Sequence, residues 1–200
     1  MKQYRLLGLL PLAAILSACG NPQEASEGNF RTALQDDIDN MGPAICLEAP
    51  ARKLPFVIDA RTASQRPDSA ARQRRAHALV EAGLLSREEI SDGRQRYALT
   101  DEGRDIYGRA HGLEQGGFCF GRVHLEEIDN FTPPQEIDGG YTVSHVRYSY
   151  RIDDIPDWSE SDSLRKAYEG GLEGLEDTQH KRAMMILTNR GWQTERTFGQ

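Results

Sequence analysis

Scattered histidines, three cysteines, a knot of aspartates and a cluster of arginines are the residues here whose chemistry could carry a function. His77, His111, His124, His145 and His180 form no His-x-His pair and no glutamate-linked pair at zinc spacing, so no metal site is expected. His111 with Cys119 could ligate only if that thiol were unpaired. Asp153, Asp154 and Asp157 gather in one stretch. Without the glycine and closing glutamate of a hand-type calcium loop, they read as a solvated turn around Pro156. There is no Gly-x-Ser-x-Gly and no glycine-rich phosphate loop with lysine, and no pair of carboxylates stands out. No catalytic residue and no cofactor is therefore assigned.

The arginines are the sharpest signal among these. Arg66, Arg72, Arg74 and Arg75 crowd one helix-like stretch, and Arg94 and Arg96 follow in a strand-like one. Such a face would suit an acidic protein partner or phosphate groups, because guanidinium forks pair bidentately with both. Arg72, Arg74, Arg75, Arg94 and Arg96 are taken as the partner-binding candidates. A second surface is offered by His145, Arg147 and Arg151, which alternate along a strand near Tyr141 and Trp158.

The first nineteen residues carry an address. Lys2 and Arg5 precede an apolar run from Leu6 to Ile15, which is too short to span a bilayer core needing roughly 20 helical residues. Leu16-Ser17-Ala18-Cys19 follows, and the whole segment resembles the signal peptide and lipobox of bacterial lipoproteins. The resemblance implies that residues 1–18 are removed and that Cys19 carries a thioether-linked diacylglycerol and an acylated amine. Cys19 is then a membrane anchor, firmer than a single acyl chain. Gly20 stands where retention in the inner membrane often uses Asp, which implies the periplasmic face of the outer membrane.

That address changes how the remaining residues read. Cys46 and Cys119, an even pair in an oxidising compartment, are expected to form a disulfide. Removing Lys2 and Arg5 from the 24 basic residues leaves 22 against 31 acidic ones, a negative balance that disfavours nucleic acid and anionic lipid head groups. The 200 residues less the 18 of the leader leave 182, enough for one large domain or two small ones.

The elements that must position these residues follow from periodicity. Asn21 to Gly28 is polar and reads as a flexible tether, with order beginning near Asn29. Phe30, Ala33, Leu34, Ile38 and Met41 have helical spacing and stop at Gly42-Pro43. Ala44–Leu47 and Phe56–Ile58 read as brief strands. Asp68 is expected to cap a helix ending at Gly83, Ser86-Arg87-Glu88-Glu89 to cap a short turn, and Thr100 to cap a helix from Asp101 to about Arg109. The run Ala78–Leu85 followed by Arg96–Arg104 resembles the recognition helix, wing and next helix of winged-helix repressors of the multiple-antibiotic-resistance type.

Beyond it, Phe118–Ile128, Tyr141–Ile152 and Lys181–Thr188 are strand-like. Val146, Tyr148, Tyr150 and Ile152 take one face and His145, Arg147, Ser149 and Arg151 the other, as in an antiparallel sheet covered on one side. Leu164 to Leu175 keeps helical spacing that Gly170-Gly171 and Gly174 weaken, and Asn189-Arg190-Gly191 turns into a final edge strand. Phe118-Cys119-Phe120-Gly121, Phe131-Thr132-Pro133-Pro134 and Pro156-Asp157-Trp158 resemble a group of proteobacterial envelope lipoproteins without assigned activity.

The expected fold class is α+β: a signal peptide (1–18), a lipidated tether (19–28), a winged-helix-like unit (29–112), and an antiparallel sheet packed with a helix (113–200). The expected role is a binding or scaffold protein of the cell envelope, held to the membrane through Cys19 and docking an envelope protein, with no small molecule identified. The alternatives are an envelope enzyme with its site in the second unit and a winged-helix DNA-binding regulator. The latter requires cytoplasmic residence and conflicts with an exported, acidic chain.

Overall fold

The computed structural model describes residues 21–63, 66–91, 93–108 and 116–199, so the leader, Cys19 and His111 lie outside the described residues. The fold is α+β, helices packed on antiparallel sheets. No helix among the described residues is long and apolar enough to cross a membrane.

Regular structure begins earlier than the polar composition of Asn21–Gly28 suggests. Helix α1 spans Glu27–Asp39, capped by Ser26, whose side chain accepts from Asn29 N. Ahead of it, Glu24 N donates to Asn21 O at 3.0 Å, and Asn29 Nδ2 donates to both Asn21 O and Glu24 O at 2.8 Å. From Asn21 onward the expected tether is therefore a pinned turn, because its backbone groups find side-chain partners.

Strands β1 (Ile45–Glu48) and β2 (Phe56–Asp59) are the expected brief strands. A four-residue helix α2 (Ala60–Ala63) leads to α3 (Pro67–Glu81). Asp68 does not cap α3. Arg66 holds the cap position, Pro67 starts the helix, and Asp68 lies in the first turn, where its charge favours the positive end of the helix dipole. Gly83, at φ +77°, closes α3: Gly83 N donates to Val80 O at 3.0 Å and Leu84 N to Leu79 O at 2.9 Å.

Ser86–Glu89 does not cap a helical turn but is part of β3 (Leu85–Ser91). β3 pairs with β4 (Arg94–Leu99), setting Glu88 opposite Arg96 and Arg87 opposite Tyr97, and these cross-strand pairs outweigh the local capping signal. The sheet order is β2-β4-β3, with α3 leading into the β3–β4 hairpin. Thr100 does cap α4 (Asp101–Ile106), but the helix stops short of Arg109 because Tyr107–Gly108 (β5) pairs with β6 (Gly117–Phe120). β6 also pairs with β1, giving the order β1-β6-β5.

Phe118–Ile128 is two strands, divided at Gly121. Its φ is +74°, and a Cβ there would lie 2.7 Å from Ile152 Cγ2. From Gly121 the chain enters the larger sheet: β7 (Arg122–Phe131), β8 (Gln135–Ile137), β9 (Tyr141–Asp153), β10 (Gln179–Thr188) and β11 (Gly191–Thr194), in the order β11-β10-β9-β7 with β8 on the start of β9. Between β9 and β10 lie a 3-10 turn (Asp157–Glu160) and α5 (Asp162–Ala167). The helical spacing of 164–175 is not carried through, since Gly170 and Gly174 adopt φ of +75° and +64°.

Two cores result. In one, α1 lays Phe30, Leu34 and Ile38 on Leu125, Ile128, Val146, Met185 and Trp192 of the large sheet. In the other, Leu79, Leu84, Tyr97, Phe118, Leu164 and Tyr168 join α3, the β2-β4-β3 sheet, β6 and α5. Each core draws residues from both sides of position 112: α1 crosses to the later sheet, while β6 and α5 return to the earlier unit.

Candidate functional site

A groove of about 520 Å³ lies between β1, α3 and the end of α5. β1 supplies Glu48, α3 supplies Ala71, Arg74 and Arg75, and α5 supplies Lys166, with Tyr168 as its C-cap. Three elements distant in sequence meet there because Leu164 and Tyr168 are drawn into the core beside α3. Tyr168 then spans 120 positions to donate its phenol to Glu48 O at 2.8 Å. Burial pushes the Tyr168 phenol above its ordinary pKa.

The arginines of α3 divide into two kinds. The Arg75 guanidinium lies 5.3 Å from the centre of the Tyr168 ring, and Nη1 is 3.8 Å from Glu48 Oε2. Arg72 lies 5.0 Å from the centre of the Phe56 ring. Both stack on aromatic faces, and both keep a buried Nε without a hydrogen-bond partner. Arg74 is exposed at the groove, as is Lys166. A neighbouring hollow of about 330 Å³, lined by Asp68, Arg72 and Arg75, shares Ala71 and Arg75 with the groove.

The other candidates fall elsewhere. Arg94 and Arg96 are exposed on β4, opposite Asp59 and Val57, and do not line the groove. Cys46 and Cys119 are directly opposed on β1 and β6 and are joined by a disulfide, with Cα atoms 4.1 Å apart. Cys46 borders the groove. Trp158 packs edge-on against Phe120 at 4.9 Å in the α3 core, away from the sheet surface beside which it was placed. Tyr141 is on the sheet, exposed and in contact with Phe198.

On the outer face of the large sheet, His145, Arg147 and Arg151 are exposed as the alternation requires, while Ser149 is buried. Arg151 donates to Asp153 at 2.7 Å and to Glu126 at 3.2 Å, which holds the Asp153 carboxyl below its usual range. Arg122 donates to Asp154 at 2.6 Å, so two of the three clustered aspartates answer arginines. His180 Nδ1 lies 3.0 Å from Asp129 Oδ2, and His124 Nδ1 lies 3.6 Å from Asp153 Oδ2. Among the described residues no three His, Cys, Asp or Glu side chains gather as a metal site.

Sequence reasoning missed Lys166 and Glu48, and it saw Tyr168 only as an apolar position. One signal was present: Ser163-Leu164-Arg165-Lys166 has Ser-x-x-Lys spacing on α5. Ser163 Oγ instead lies 2.7 Å from Ser161 Oγ and does not line the groove, so the spacing delivers Lys166 without a nucleophile beside it. Compared with family models, curated proteins and solved structures, the chain matches none of them.

Proposed function

We propose that this chain is a lipoprotein of the cell envelope, anchored through Cys19 and facing the periplasm, that binds an acidic segment of an envelope protein in the groove between α3 and α5. The observation that carries the reading is that two exposed cations, Arg74 of α3 and Lys166 of α5, line one groove. A flexible carboxylate-bearing segment can reach both, and charge complementarity of this kind sets partner choice and encounter rate. Arg75 lines the groove stacked on Tyr168, with Glu48 beside it, while Arg72 stacks on Phe56 in the neighbouring hollow.

A photo-crosslinker at Ala71, used in whole cells, tests this reading. The crosslinked peptide of the partner should be rich in Asp and Glu, and the double substitution Arg74→Glu with Lys166→Glu should abolish the adduct. Unchanged crosslinking after both reversals would refute groove binding. Intact-mass measurement of the protein extracted from membranes tests the anchor, with Cys19→Ser as the unmodified reference.

A further inference from the structure

The described fold begins two positions after Cys19. Asn21 is held by Asn29 Nδ2 at 2.8 Å, Trp192 Nε1 donates to Glu24 O at 3.0 Å, and a Cβ on Gly191 would lie 3.0 Å from Pro22 O. Residues 21–24 are thus fixed against the turn that joins β10 to β11. Two residues of fully extended chain reach at most about 7 Å. Whatever surface holds Cys19 must therefore lie next to that end of the large sheet.

The same end carries exposed apolar side chains. Ile186 of β10 pairs with Val143 of β9, and β8 pairs with the start of β9, so the β10–β11 and β8–β9 turns project from one end of the sheet. Ile137, Tyr141 and Phe198 are 44%, 46% and 36% exposed there. The Tyr141 and Phe198 rings meet edge-on at 5.4 Å. With strands spaced about 4.8 Å, the distance from β11 to β8 is roughly 14 Å, a compact footprint.

We propose that this end of the sheet is a membrane-docking surface, with Ile137, Tyr141 and Phe198 seated in the interfacial layer of the bilayer to which Cys19 is anchored. The inference rests on lipidation of Cys19. An aromatic ring with a polar tip beside apolar neighbours suits the boundary between head groups and acyl chains, and the anchor makes its insertion intramolecular. The opposite end of the sheet, where Arg122 pairs with Asp153 and the chain passes through Gly121 into the α3 core, then points away from the membrane. β9 alone has 13 residues and spans about 40 Å at strand rise, which lifts the α3–α5 groove clear of the head groups.

The lipidated protein, reconstituted in phosphatidylethanolamine–phosphatidylglycerol vesicles with brominated acyl chains, decides the matter. An environment-sensitive fluorophore on Ile137→Cys should emit at shorter wavelength and be quenched several-fold more than the same probe on Glu176→Cys, which precedes the far end of β10. Intact mass first establishes whether Cys19 carries lipid, and circular dichroism that each variant is folded. Equal, water-like emission from both probes on lipidated protein overturns the docking surface alone. Absence of lipid on Cys19 overturns the anchor and the docking surface together.

Discussion

The core beneath α1 is built from three long strands, β7, β9 and β10, of 10, 13 and 10 residues, paired antiparallel in one sheet. The core around α3 is assembled from strands of two to seven residues and two helices, recruited from both halves of the chain. The first closes by regular alternation and one helix laid across it. The second closes by particular stitches: the Cys46–Cys119 bridge, the Tyr168 phenol on Glu48 O, and arginines stacked on Phe56 and Tyr168. Long ladders tolerate a lost contact because their neighbours remain paired, whereas a mosaic of short pieces depends on each cross-link.

Removing the bridge should break the comparison most sharply. Its sequence separation of 73 residues corresponds to about 4 kcal/mol on the chain-entropy account. Cys46→Ala with Cys119→Ala should accelerate amide exchange in β1, β6 and α3 while β9 and β10 keep their protection. Uniform loss across both cores would mean that they unfold as one unit. The reciprocal experiment is Leu34→Ala, which opens a cavity between α1 and the large sheet and should cost roughly 3 kcal/mol. Its exchange signature should fall on β9 and β10 and spare α3.

The same contrast governs what was legible beforehand. Alternation along Val146–Ile152 placed β9 and its exposed arginines, because a period of two needs only neighbouring residues to declare itself, but not the burial of Ser149, which lies where the β7 register shifts. The Thr100 cap and the role of Gly83 are likewise local, whereas the Ser26 cap of α1 went unread inside the expected tether. Ser86–Glu89 misled because a capping box and an edge strand look alike until β4 is brought alongside. Residues of the groove were legible singly and not together. Arg74 was visible as charge, but Lys166 and Glu48 join it only through Tyr168, whose contact crosses 120 positions with no periodic trace.

Tyr168→Phe probes the stitch that forms the groove. It leaves Glu48 O short of a donor and should cost about 1 kcal/mol near neutral pH. Burial raises the folded-state pKa of Tyr168, so the unfolded chain releases this proton first as pH climbs through about 10. The folded state then binds more protons than the unfolded one, and stability falls with rising pH. Denaturant midpoints measured from pH 8 to 11 should therefore show a smaller alkaline decline in Tyr168→Phe than in wild type, with part of the decline remaining from buried Tyr97 and half-buried Tyr148. An identical alkaline decline in both proteins would place the sensitive group elsewhere and loosen the link between Tyr168 and the α3 core.

The smallest effect tests the large sheet where its regularity carries a cost. Arg147 of β9 is directly opposite Arg182 of β10, and both are exposed on the outer face. Like charges in register repel, whereas opposite charges at such a pair attract by a few tenths of a kcal/mol, reduced by solvent and salt. Arg182→Glu should therefore stabilise the protein by about 0.5 kcal/mol at low ionic strength, with the gain shrinking as salt is added. The double variant Arg147→Glu with Arg182→Glu should return it toward wild type, because the repulsion is restored with opposite sign. If Arg182→Glu instead destabilises the protein independently of salt, the arginine stem contributes packing on this face. The outer surface of the large sheet would then also rest on particular contacts, and the contrast with the α3 core would narrow to the bridge and the groove.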